Sequence, residues 1–243
     1  MEVNRKEVER YLGYRGVSVI DDKMSSIIEE CIEDMKREVT PREIHKTFPI
    51  VWDEVMSPAG DKSGCSDEID RSSEIGGGDE DTFGCSFSGI KVGPGNLVKN
   101  LKGCSEIVMM AVTIGPGPDR LVRRAELRDM LKAYTYQAVG AAMAEAWCEE
   151  VNDIIRKEAE ERGFFTRPRF SPGYGDFPLE VQKDFERILE MPKSIGVSLS
   201  ESLLMTPTKS ITAVVGLSKY RTDCHTAGCE ECNMHETCEY SRA

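Results

Sequence analysis

The stretch EIVMMAVTIGPGPDR, residues 106–120, decides the fold. Glu106 to Ile114 form an almost unbroken apolar run rich in valine, isoleucine and methionine, which predicts a strand buried on both faces. The run ends in Gly115-Pro116-Gly117-Pro118, and glycines after a strand invite a dinucleotide-binding reading. That reading needs G-x-G-x-x-G, whereas here a proline follows each glycine and Pro118 removes an N–H that a pyrophosphate would want. A strand-to-helix turn with Pro118 in the first helical turn is the better account.

Upstream, Asn4 with Glu7 reads as a capping box that opens a short helix stopped at Gly13. Asp21 or Asp22 caps a second helix, in which Met24, Ile27, Ile28, Cys31, Ile32 and Met35 recur at helical spacing up to Thr40-Pro41. Residues 42–52 look extended and partly buried, and KVGPGNLVKNLKG suggests a short helix that begins near Pro94 to Asn96. Downstream, residues 119–162 predict two helices with a bend near Asp129, ended by Gly163 as a C-cap. A helix around PLEVQKDFERILE follows, and GVSLSESLLM and SITAVVGLS read as two strands joined through a turn at Pro207. Strands and helices interleave without a regular βαβ repeat. The expectation is therefore a single mixed α+β domain over residues 1–218, with a central, mainly antiparallel sheet and long helices.

Composition narrows the function. The formal charge of -12 is uneven: between Asp53 and Asp81 ten acids face only Lys62 and Arg71, a net of -8, which leaves -4 for the rest. That segment is also rich in serine and glycine, so residues 57–88 are expected to be an acidic loop insertion, solvated or used in docking. Binding nucleic acid needs clustered lysine and arginine, which this chain lacks. No run approaches the roughly 18 apolar residues of a membrane span, and MEVNRKEVER has no apolar signal region, so the expected location is the cytoplasm. Nine cysteines, an odd total, argue against a disulfide framework; Cys31, Cys65, Cys85, Cys104 and Cys148 read as ordinary thiols.

Between the long helical region and the next helix stands RFSPGYGDFP, residues 169–178. Pro172 and Pro178 stiffen it, and Gly173 and Gly175 allow close approach to a main chain whose N–H and C=O groups are free to read a ligand. Arg169 can hold a carboxylate with a planar fork, and Tyr174 offers an aromatic face with a polar tip. A small zwitterionic ligand with a flat ring suits these residues, as does a rigid structural turn with a surface arginine.

Arg169-Phe170-Ser171-Pro172-Gly173-Tyr174 resembles the R-x-x-x-G-Y signature of the activation domain of cobalamin-dependent methionine synthase. GVSLSESLLMTPTKS, residues 196–210, and the helix AVGAAMAEAWCEEV are similar to further segments of that family, in the same order, over roughly residues 90–218. The resemblance implies binding of S-adenosylmethionine and reductive methylation of inert cob(II)alamin, with catalysis by positioning more than by acid-base chemistry. It places the methionine carboxylate on Arg169, the adenosyl and methionine moieties along the backbone of Ser171 and Gly173, and Tyr174 on the reacting side near the corrin. Ser171 stands where the family often has alanine. Glu201 and Ser202 match a family motif whose plainer role is loop support, and Asp21 and Asp22 are candidates for an acidic partner of the ligand's amino group. In that family the module is one part of a much longer chain. The implied partners are therefore a corrinoid-binding protein or methionine synthase catalytic chain and a low-potential electron donor such as flavodoxin or ferredoxin, within methionine biosynthesis. A non-catalytic adaptor that caps a corrinoid protein, and an iron-sulfur electron donor to one, are the rival expectations.

Residues 219–243 form a short cysteine-rich tail in which Cys224, Cys229, Cys232 and Cys238 give C-x4-C-x2-C-x5-C. Four thiols in fifteen residues of a cytosolic chain suggest a metal site, an iron-sulfur cluster or zinc, with free or redox thiols as the alternative. Asp223-Cys224-His225-Thr226-Ala227-Gly228 also satisfies D-x-H-x-x-G, but that corrinoid-presenting pattern opens an α/β domain of about a hundred residues, and only fifteen follow here.

Overall fold

The computed structural model describes residues 2–14, 20–53 and 83–221. Its centre is a four-stranded antiparallel sheet in the order β1 (Arg42–Pro49), β5 (Glu106–Thr113), β9 (Ser210–Ser218) and β6 (Phe165–Thr166). A three-stranded sheet of β2 (Val51–Trp52), β3 (Cys85–Phe87) and β4 (Ile90–Val92) and a hairpin of β7 (Ser198–Leu199) and β8 (Met205–Thr206) complete the strands. The helices are α1 (Arg5–Tyr11), α2 (Asp22–Glu38), α3 (Asn96–Leu101), α4 (Gly117–Glu126), α5 (Met130–Glu161), α6 (Gln182–Ile188) and α7 (Met191–Ser194). The mixed α and β architecture with a central antiparallel sheet agrees with the sequence.

β5 is apolar throughout because both of its faces are covered. Val108, Met110 and Val112 point with Ala213, Val215 and Leu217 of β9 toward the C-terminal half of α5, where Cys148, Val151 and Ile155 meet them. Ile107, Met109 and Ala111 point the other way, onto a core built with Leu97, Leu101, Phe177 and Phe185. The register Val108 to Val215 keeps the two sets apart, and a slip of one residue would exchange them. α5, about 48 Å long at 1.5 Å per residue, serves two cores in turn. Its first half packs Ala133, Val139 and Met143 against Ile28, Ile32 and Met35 of α2, and its second half covers the sheet.

The glycines after β5 are buried junctions and form no phosphate loop. A side chain at Gly117 would collide with the carbonyl of Glu38 at the end of α2, and one at Gly115, where φ is +82°, with Thr40. The strand-to-helix turn stands, with Pro118 in the first turn of α4. The break between α4 and α5 falls at Asp129, whose carboxylate caps α5 by accepting from the Lys132 N–H at 3.0 Å.

Three readings change. Asn4 caps α1 by accepting from Lys6, and Glu7 turns to Arg10 at 2.6 Å, so the reciprocal capping box is not formed. GVSLSESLLM is no partner strand for β9: it folds back as the β7–β8 hairpin, with Ser200 and Leu204 bonded across its turn. Residues 85–87, assigned from sequence to the acidic insertion, are strand β3, with Cys85 and Phe87 buried in the core. The remainder of the acidic segment up to Thr82 from Glu54 lies outside the described residues.

His45 ties edge strand β1 to α5. Its Nδ1 lies 2.9 Å from Glu43 and its Nε2 3.0 Å from Glu158, an arrangement that satisfies both carboxylates only when the ring carries two protons. Burial lowers its pKa, but the two hydrogen-bonded carboxylates outweigh that and leave it above the ordinary value. A raised folded pKa gives stability that is complete below the unfolded value of about 6.5 and is lost as pH rises through the folded one. His45→Gln should therefore lower the melting temperature by about 2–3 °C at pH 6, for a pair worth about 1 kcal/mol, and by less at pH 8.5. Equal losses at both pH values in thermal melts would show that the charge is not responsible.

Candidate functional site

Loop 167–178 hangs from the edge of the central sheet. β6 pairs with β9 through Thr166, and Arg167 N–H still donates to the Gly216 carbonyl at 2.8 Å. Pro168 then interrupts the ladder, which resumes as a single bridge in which Phe170 and Val214 exchange hydrogen bonds of 2.9 and 2.8 Å. In an unbroken strand Arg167 and Arg169 would share a face. Instead Arg167 is buried and donates to the Lys102 carbonyl at 2.7 Å on the α3 side, while Arg169 turns to α5 on the opposite side.

Beyond Phe170 the chain winds into two interlocked turns. Tyr174 N–H donates to Ser171 O at 3.1 Å, Phe177 N–H to Tyr174 O at 3.1 Å, and Gly173 N–H to Phe177 O at 2.8 Å. Gly173 has φ +85°, the left-handed region that favours glycine, and a side chain there would come within 3.1 Å of the tip of Leu179. The N–H groups of Gly173, Tyr174 and Phe177 and the carbonyls of Ser171, Tyr174 and Phe177 are thus engaged within the loop. Tyr174 is half exposed, edge-on to Phe170 with ring centroids 5.4 Å apart. The far end is fastened by Asp176, whose carboxylate accepts from Asn96 N–H at 2.7 Å and caps α3. Gly95 lets it approach, because a side chain there would overlap the Asp176 carboxylate.

Arg169 meets three residues of α5. It donates to Glu145 at 2.7 Å, to Glu149 at 2.9 Å and to the Cys148 sulfur at 2.7 Å. Burial works against its charge, yet these neighbours hold its pKa above the ordinary arginine value. Burial also pushes the Cys148 thiol up to about 11, so at neutral pH the thiol carries no charge and the two carboxylates are the partners that count. Sequence reasoning missed them. Their spacing of one helical turn, Glu145 and Glu149 with Cys148 between, was the available signal, but nothing local says that Arg169 will reach them.

The other sequence candidates lie apart from this cluster in their bonding. Asp21 is the N-cap of α2 and accepts from Met24 N–H at 2.7 Å, so its carboxylate already has a partner. Glu201 is exposed in the β7–β8 turn, which Ser200 and Ser202 brace with hydroxyls 2.9 Å apart. Cys224, Cys229, Cys232 and Cys238, with the D-x-H-x-x-G pattern, fall outside the described residues. Among the described residues no group of three or more metal-ligating side chains exists, and Cys31, Cys85, Cys104 and Cys148 are buried thiols outside any disulfide. A groove of about 430 Å³ between α2, α4 and α5 contains none of the candidates. Its cations are largely neutralised, Arg37 by Asp34 at 2.5 Å and Lys132 by Glu30 at 2.5 Å.

These features define a mixed α/β module that presents a charged, glycine-shaped loop at a sheet edge. The family model described as "Vitamin B12 dependent methionine synthase, activation domain" matches residues 97–237, and the chain belongs to that family. Among solved structures it is similar to one described as "Crystal Structure of the MetH Reactivation Domain bound to AdoHcy", with a TM-score of 0.57 and 17% identity over 90% of this chain and 75% of that one. At that identity the likeness speaks for the fold. No curated protein matches the chain. Among the described residues no helix is long and apolar enough to cross a membrane.

The capping bond predicts that Asp176→Ala costs about 1 kcal/mol, a fall of about 2–4 °C in melting temperature. It should also speed hydrogen exchange at Asn96 and Gly173 together, since one carboxylate fastens both segments. Faster exchange at Asn96 alone would show that the loop does not depend on that anchor.

Proposed function

We propose that the protein binds S-adenosylmethionine at loop 169–174 and supports the reductive methylation of cob(II)alamin carried by a partner, a corrinoid-binding protein or a methionine synthase catalytic chain. Family membership supports the reading, and so does the neighbouring reactivation domain described with AdoHcy, the demethylated form of that ligand. The observation that carries it is Arg169: a guanidinium only about a quarter exposed, held at the mouth of a glycine-shaped loop whose two ends are pinned to the sheet and to α3.

In this reading Arg169 takes the ligand carboxylate, the backbone of Ser171 and Gly173 meets the adenosyl and methionine moieties, and Tyr174, projecting from the loop, lies toward the corrin. The chemistry needs one electron from a low-potential donor such as flavodoxin or ferredoxin to give cobalt(I). The cobalt electron pair then takes the methyl cation, the C–S bond pair stays with sulfur, and the sulfonium becomes a thioether. The protein supplies no acid or base to that step. It holds the methyl in line and keeps water out. The cysteine tail, as a zinc or iron-sulfur site, is a further proposal, tested by metal analysis of protein purified without air.

Arg169→Ala should weaken S-adenosylmethionine binding at least tenfold in calorimetry while the circular dichroism spectrum stays unchanged, because the glutamates left behind are partly exposed. In an anaerobic visible spectrum, cob(II)alamin on a carrier protein with reductant should convert to methylcobalamin only when this protein and S-adenosylmethionine are both present. No conversion despite binding of both would reduce the protein to a corrinoid-protein adaptor.

A further inference from the structure

The Arg169 cluster carries more negative charge than a carboxylate-binding site requires. One guanidinium is matched by two carboxylates, Glu145 at 2.7 Å and Glu149 at 2.9 Å, which leaves the trio at -1. The third neighbour, Cys148, is a buried neutral thiol and does not alter that sum. An arginine meant only to receive a ligand carboxylate would do better with no competing anions, since each must be displaced or accommodated when the ligand arrives. The excess acquires a purpose when the ligand's own charge is counted. S-adenosylmethionine has a carboxylate, an ammonium and a sulfonium, and is +1 overall. After methyl transfer the sulfonium is a neutral thioether, and the product is a zwitterion of charge zero.

We infer that Glu145 and Glu149, held against Arg169, make the site selective for the sulfonium ligand over its thioether product. The inference rests on the proposed binding of S-adenosylmethionine and adds to it which member of the ligand pair is preferred, and why. Arg169 meets a carboxylate that both ligands share and so cannot tell them apart. The surplus carboxylate acts on the one charge that differs. Once the methyl has left, the attraction is gone and the product is released more readily than the substrate.

Exposure bounds the effect. The side chains of Glu145 and Glu149 are 40% and 60% exposed, so water screens much of the attraction. A preference of about three- to tenfold is the size expected for a pair of charges some 5–7 Å apart in a largely aqueous dielectric. It should shrink as salt is raised.

The test compares three ligands by calorimetry on the full chain, wild type and Glu149→Gln. Glutamine keeps an acceptor for Arg169 and removes only the charge. The ligands are S-adenosylmethionine, S-adenosylhomocysteine and sinefungin, whose amine puts a positive charge where the sulfonium stands. In the wild type the two cationic ligands should bind about three- to tenfold more tightly than S-adenosylhomocysteine. In Glu149→Gln both should weaken by about that factor while S-adenosylhomocysteine stays the same, and Glu145→Gln should repeat the pattern. Equal weakening of all three ligands would assign the glutamates a merely structural hold on Arg169 and overturn the inference. So would a wild-type preference for S-adenosylmethionine that sinefungin does not share. Binding without any preference removes this inference alone, whereas no binding of any of the three to the wild type removes the proposed function with it.

Discussion

The pairing of β5 with β9 is the constraint on which everything else hangs. Eight residue pairs from Glu106–Leu217 to Thr113–Ser210 run antiparallel through the middle of the molecule, and both faces of that ribbon are buried. Because side chains alternate across a strand, this one register sends Val108, Val215 and Leu217 to α5 and Ile107, Met109 and Val214 to the opposite core. The free side of β9 then offers the edge along which residues 165–170 are laid. α5 is held on the sheet by the same apolar set, and Trp147 fastens it to β1 through the Arg42 carbonyl at 3.0 Å. Loop and helix therefore take their relative positions from one ladder, and Arg169 can meet Glu145 and Glu149 only because that ladder is in register.

The same logic explains what could be read from the sequence. The buried strand at residues 106–113, the long helices and the break at Asp129 rest on periodicity and capping, which are local and strong. GPGP was legible as a turn because its prolines contradict the alternative. β3, β4, β6, β7 and β8 were not legible: strands of two or three residues have no period to detect, and they exist because a neighbouring strand pairs with them. GVSLSESLLM shows the cost of that gap, since its apolar residues suit a strand as well as a tight hairpin. In the candidate site, Arg169, Ser171, Gly173 and Tyr174 could be named in advance because turn-forming residues and a motif mark them. Glu145 and Glu149 could not, because a helix sequence records which residues share a face but not what will be laid across it. The opposite aims of Arg167 and Arg169 were equally hidden, since they follow from a single proline in an otherwise alternating edge.

Chemically, the arrangement fits a protein that positions more than it activates. The described side chains around the loop include no nucleophile tuned for reaction: the Cys148 thiol is pushed up to about 11 and buried. Rigid backbone, a fixed cation and a surplus of carboxylate suit the proposed holding of a charged small molecule. The transfer of a methyl cation between two reactive centres asks for little else beyond the exclusion of water.

The two anchors of the loop have a consequence in time. Phe170 is fixed by Val214, and Asp176 by an amide eighty residues upstream. On a ribosome the R-x-x-x-G-Y segment emerges well before Val214 does, so the segment that names the site is synthesised without the strand that shapes it. Until β9 has been made and drawn into the sheet, Arg169 has no fixed direction and the loop no edge to hang from. The loop proposed to bind the ligand thus takes its shape late and in one step, with the closing strand of the sheet, and a chain that holds that shape is one that has already completed its core.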